Sequence, residues 1–127
     1  MSKHSVRYDA DNSMILIEYH GVVHKMDVKS IRSRAIELTN EHQCHLSLTD
    51  FRDATFELST LDIVELPEST SKAYSENDLS VANVKRAIVV GDGAEELEFL
   101  ETVSINRGQN VKLFHDFDQA KAWLLGD

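Results

Sequence analysis

Asp50, Arg52 and Asp53 place three charges within four residues, with Phe51 between them and Phe56 just beyond. A carboxylate so placed can orient a polar ligand, and a guanidinium can take an anion through two parallel hydrogen bonds. The plainer reading is a local ion pair that orders its own loop. Phe51 and Phe56 would form an apolar lip for a lipid-like ligand or a partner if exposed; core packing is the plainer reading for them as well. Gly91-Asp92-Gly93 carries two glycines of a phosphate-cradling loop. It lacks the third glycine of a dinucleotide fingerprint and the Gly-Lys-Ser/Thr of a nucleotide loop, and Asp92 would repel phosphate.

Other chemistry finds less footing. No Gly-x-Ser-x-Gly elbow occurs, and Cys44 has no cationic helix-start setting to lower its pKa. The spacing of His42-Gln43-Cys44-His45 matches no structural or catalytic zinc site, and His42 suits a helix end, where a cation complements the dipole. His20 and His24 bracket Gly21-Val22-Val23 and could line a pocket edge, with ordinary loop histidines the simpler reading. No catalytic residue, metal or cofactor is assigned, and the chain is read as a non-enzyme.

The elements that must position these residues follow from apolar periodicity. Ser5 to Tyr8 and Met14 to Tyr19 predict two strands joined by the turn-forming Asp9-Ala10-Asp11-Asn12-Ser13. Val28, Ile31, Ala35 and Leu38 predict an amphipathic helix over 27–41 with Asp27 as N-cap. His45 to Phe51 alternates as a strand. Ser59 and Asp62 have capping-box spacing for a helix that carries Leu61, Val64 and Ala73 and that Pro67 should kink or split. Arg86 to Val90 predicts a buried strand, 94–107 a helix ending at Gly108, Val111 to Phe114 a strand, and Asp116 with Gln119 the cap of a helix through Leu125. The order ββαβαβαβα predicts an α/β fold: a mixed sheet of about five strands, parallel except for an edge strand, packed with about four helices in one domain over 1–127. Ligands of such sheets meet the carboxyl ends of the strands, here the expected loops His20–Asp27, Asp50–Ser59, Gly91–Ala94 and His115–Asp116.

The 127 residues include 13 Lys and Arg against 22 Asp and Glu, a net charge of −9. That excess, with no basic cluster, argues against nucleic acid and against an anionic membrane surface. No apolar run approaches the roughly 20 residues of a membrane span, and neither the start of the chain nor its one cysteine suggests export, so a cytoplasmic location is expected. Asp92, Glu95, Glu96, Glu98 and Glu101 put five acids in ten residues. They suit the start of a helix and offer an acidic face to a basic partner.

The strand Leu46-Ser47-Leu48-Thr49-Asp50, the strand Arg86 to Gly91 and the ending Val111 to Leu124, with Ala120 to Leu124 as an Ala-x-x-Trp-Leu helix, resemble the bacterial SpoIIAA-like proteins, also called STAS/SEC14-like domains. The resemblance spans nearly the whole chain. It implies a sheet packed on helices with no established enzymatic reaction. In anti-sigma-factor antagonists of this family, a serine in an Asp-Ser-Ser/Thr-Gly stretch at the helix start after the third strand is phosphorylated by a partner kinase. Asp50 occupies the matching strand end, but Phe51-Arg52-Asp53-Ala54 follows it. Ser59 and Thr60 are the nearest hydroxyls at a helix start, making Ser59 the candidate phosphosite, although serine is also the ordinary N-cap.

The expected function is therefore a binding or regulatory module whose ligand or partner loop comprises Asp50, Phe51, Arg52, Asp53, Ser59, Thr60, Gly91 and Asp92. A protein partner leads, with a second copy of the chain admitted. The alternative is a carrier for a small lipid or other apolar ligand, which requires a cavity beside the helices carrying Leu61, Val64 and Leu97.

Overall fold

The computed structural model describes residues 4–91 and 95–126. The elements run β1 (Ser5–Asp9), β2 (Met14–Val23), α1 (Lys25–His42), β3 (Leu46–Phe56), α2 (Thr60–Ser75), a 3-10 turn (Val81–Asn83), β4 (Lys85–Val89), α3 (Glu95–Asn106), β5 (Val111–Phe114) and α4 (Phe117–Leu125). β1 pairs antiparallel with β2, the other pairs are parallel, and the spatial order is β1-β2-β3-β4-β5. The Asp9 carboxylate closes the first turn by accepting from the Asn12 side chain at 2.9 Å and the Asp11 amide at 3.1 Å.

Each parallel crossover advances one strand in the same direction, so a common right-handed sense places α1, α2 and α3 on one face of the sheet. α4 packs on the other face. Strand alternation divides the core accordingly. Leu16, Leu48, Ala87 and Val89 pack with Ala120 and Leu124 of α4. On the opposite face Ile15, Ile17 and Tyr19 meet Ala35 and Leu38 of α1, and Ile88 and Val90 meet Leu97 of α3. α2 rests chiefly on α3 and α1.

Several boundaries differ from expectation. β2 continues to Val23 and β3 to Phe56, so most of the expected His20–Asp27 and Asp50–Ser59 loops is strand. Val22 and Val23 pair with Thr55 and Phe56, and this long-range pairing of β-branched and aromatic residues overrides the loop-like His20-Gly21. α1 starts at Lys25 with His24 as N-cap; Asp27 is the third helical residue and its carboxylate accepts the His24 amide at 2.9 Å. Pro67 does not split α2, which runs unbroken through it. Its ring is fully buried and its carbonyl accepts from the Gln109 side chain at 2.7 Å, so tertiary packing holds the turn where one helix bond is missing. Leu61 is not core but 64% exposed. It lies two positions, roughly 200° around the helix, from the buried Ile63.

Candidate functional site

The carboxyl edge of the sheet is shaped by a β-bulge. Glu18 pairs with Asp50 but His20 pairs with Asp53, so Phe51 and Arg52 together oppose Tyr19. Asp50 and Arg52 remain on one side, where the Arg52 Nε and Nη2 donate to the two Asp50 carboxylate oxygens at 3.0 and 2.8 Å and the Arg52 amide adds a third bond at 3.0 Å. Partial burial pushes the Asp50 pKa up, but the hydrogen bonds from Arg52 outweigh it and hold the carboxyl below its usual range. The Arg52 guanidinium also lies over the Phe117 ring, 5.3 Å from its centroid. Gly91 abuts this pair: a Cβ there would sit 3.4 Å from the Arg52 carbonyl oxygen.

The rest of the expected loop disperses. Phe51 turns inward, stacking on Tyr19 at 4.7 Å and meeting Phe56 edge-on at 4.8 Å, so it forms no lip. Asp53 is exposed, its carboxylate 3.7 Å from His20 Nδ1. Ser59 lies beyond the end of β3, six strand residues (roughly 20 Å) further along than Asp50. Asp92 falls outside the described residues, as does the Thr60 side chain. Of the acidic helix face, Glu98 is exposed, whereas Glu101 accepts the Leu113 amide of edge strand β5 at 2.5 Å. Among the described residues no three His, Cys, Asp or Glu side chains converge as a metal site, and no helix is long and apolar enough to cross a membrane.

A second locus forms where β2 and β3 project past the sheet. Ser59 is exposed and caps α2: its Oγ accepts the Asp62 amide at 3.1 Å while the Asp62 carboxylate accepts the Ser59 amide at 3.1 Å. The Glu57 amide bonds the Val23 carbonyl at 3.0 Å, and Lys25 Nζ approaches Asp62 at 3.6 Å, which ties the starts of α1 and α2 together. This tip presents Val22, Met26 and Leu61, which are 45%, 67% and 64% exposed. In the sequence Leu61 reads as part of the apolar face of its helix, and Val22 as part of a loop between His20 and His24. The buried stripe Ile63, Pro67, Thr70, Tyr74, spaced four, three and four, was the available signal.

Between the sheet and α1–α3 lies a partly open cavity of about 110 Å³. Ile17, Phe51, Ile88 and Leu97 supply apolar wall; Ile63, Leu66 and Pro67 of α2 replace the Leu61 and Val64 expected there. Ser47 and Thr49 of β3 face into it, as do Arg32 of α1, Arg86 of β4 and Gln109. Desolvation lowers the pKa of both arginines, and Arg32 repels Arg86. None of these polar residues stood out in the sequence, because Ser47 and Thr49 alternate like a solvent face and Arg86 opens an apolar run.

No family profile matches the chain, and no curated protein matches it. Solved structures do. An anti-sigma factor antagonist from Mycobacterium paratuberculosis superposes with a TM-score of 0.60 at 14% identity, covering 98% of this chain and 94% of that one. The Bacillus cell fate determinant SpoIIAA in its phosphorylated form gives 0.52 at 11% identity over 92% and 95% of the two chains. The fold is SpoIIAA-like. An uncharacterized Shewanella loihica protein with a SpoIIAA-like fold gives a TM-score of 0.52 at 16% identity over 95% and 91%. The resemblance read from the sequence therefore holds at the level of architecture, antiparallel edge strand included. Within the SpoIIAA-like frame, the place where β3 runs on past its pairing with β4 is occupied in this chain by the Asp50–Arg52 pair and the bulge, and Ser59 lies beyond the end of β3 at a separate tip.

Proposed function

We propose that this SpoIIAA-like chain is a non-catalytic regulatory module that docks a protein partner on the tip built by the ends of β2 and β3 and the starts of α1 and α2. The observation that supports it is the exposure of Val22, Met26 and Leu61 at the same edge as the capped, exposed Ser59. Apolar anchors rimmed by charge suit a protein interface. His24, Glu57, Lys25 and Asp62 supply the rim. The fold is shared with an anti-sigma factor antagonist and with SpoIIAA, whose phosphorylated form is known, which favours regulation by a protein partner and makes Ser59 the candidate switch. A phosphate there would meet free amides at the start of α2 and the positive end of its dipole.

In this reading Leu61→Glu and Met26→Glu weaken capture of the partner by at least about tenfold while leaving the fold intact, because both side chains are exposed. Phe99→Glu, on the exposed side of α3, serves as control. The check is affinity capture under native conditions, identification of the captured protein, and titration of that purified protein against each variant. Equal binding by the tip variants contradicts the proposal. Ser59→Asp is expected to change the affinity, and Ser59→Ala is not. The alternative, a carrier for a small lipid or other apolar ligand, finds less support, since drug-sized ligand pockets run from about 300 Å³ and the cavity holds about 110 Å³.

A further inference from the structure

Arg34, Arg52 and Arg107 each meet a carboxylate, whereas among the described residues the exposed Arg7 and the cavity-lining Arg32 and Arg86 meet none. Arg32 spends one amino group on the Ser69 and Thr70 hydroxyls at 3.1 and 3.2 Å. Arg86 donates through Nη2 to the Gln109 side-chain oxygen Oε1, and Gln109 is fixed in turn by donating through Nε2 to the Pro67 carbonyl and to Ser71 Oγ at 2.7 and 2.9 Å. The Arg86 Nε is shielded from solvent and, among the described residues, has no hydrogen-bond partner. Both arginines line the same cavity, together with Ser47 and Thr49. Placing two cations at one partly dry site with no anion is costly, and their mutual repulsion adds to the cost. An interior with only apolar duties would carry none of these groups.

We infer that the cavity beneath α2 is a binding site for a small organic anion, its carboxylate or phosphate head held by Arg86 and Arg32 and its compact apolar body against Ile17, Phe51, Ile88 and Leu97. The guanidinium fork matches either oxyanion, which makes the head group specific. The Nε supplies a donor that no group among the described residues uses. Ser47 and Thr49 hydroxyls are placed on the adjacent strand to complete the shell. About 110 Å³ is less than the roughly 150 Å³ of an engineered cavity that held benzene, so the body is no larger than one small ring and part of the ligand extends through the cavity's open side. The site lies between the sheet and the helices and reaches the inner side of the tip at Phe56 and Ile63, but it uses none of the exposed anchors Val22, Met26 and Leu61, so anion binding and partner docking are tested by different variants.

Amide NMR titration of the full chain tests this, with benzoate and butyrate as carboxylates, phenyl phosphate as the phosphate arm and benzyl alcohol as the uncharged control. Saturable shifts are expected at Ser47, Thr49, Ile88 and Gln109 and not in α4. Arg86→Met and Arg32→Met are each expected to weaken the better-bound anion by about tenfold or more. Arg86→Lys, which keeps the charge without the fork, is the second variant should Arg86→Met fail to fold, and it should fall between the two. The carboxylate and phosphate arms decide which head group the site prefers. Absence of saturable shifts with every anion, unchanged affinity in the folded variants, or benzyl alcohol binding as tightly as benzoate would each overturn the assignment.

Discussion

The two faces of the sheet are built from alternate residues of the same strands, yet they are filled in opposite ways. On the α4 face, Leu16, Leu48, Ala87 and Val89 interlock with Ala120 and Leu124, and Trp123 and Phe117 seal the margin. On the α1–α3 face, the intervening residues of β3 and β4 include Ser47, Thr49 and Arg86, and a cavity remains under α2. One helix close on the strands closes its face, whereas three helices, the middle one resting on its neighbours, enclose space that polar groups occupy. Close packing is the default of protein interiors, so the second face is where selection for something other than stability is visible.

The contrast can be broken first where it is strongest. Leu48 is completely buried, and Leu48→Ala should cost about 3–5 kcal/mol in urea denaturation because the closed face cannot collapse around the void. Trp123 packs 5.7 Å from the Phe114 ring, lies under the Lys85 ammonium and accepts a hydrogen bond from it through its carbonyl. Trp123→Ala should therefore cost about 3 kcal/mol by the same assay. At the tip, Ser59→Ala should remove about 1 kcal/mol by leaving the Asp62 amide without its acceptor.

Two smaller effects sharpen the comparison. Asp50, at the rim of the closed face, has a folded pKa below its ordinary value. Its contribution to stability is thus complete above about pH 4 and fades as pH falls through the lower folded value. Stability measured down the acid range should fall less steeply in Asp50→Asn than in the parent. Thr49→Val, on the cavity face, should change stability by less than about 1 kcal/mol, because among the described residues the Thr49 hydroxyl makes no hydrogen bond to lose. A loss there as large as that of Leu48→Ala would erase the difference between the faces.

Features written in local chemistry were legible in the sequence. The cap at Ser59, the strand Val111–Phe114 and the stop at Gly108, whose φ is +78°, follow from side-chain types and near neighbours. The Asp50–Arg52 pair was also readable, since residues two apart in a strand share a side. What escaped depends on distant pairing. His20 to Val23 becomes strand only because Asp53 to Phe56 lies beside it, and that pairing separates Ser59 from Asp50. Ser47 and Thr49 look solvent-facing until α2, more than ten residues on, covers them. Arg86 could not be distinguished from a surface strand residue without knowing that Gln109 meets it.

Hydrogen exchange on the complex with the captured partner tests the docking proposal most directly. Protection is expected over residues 20–26 and 57–62, with α3 and α4 unchanged. Protection confined to α3 or α4, with the tip exchanging as in the free chain, would contradict it.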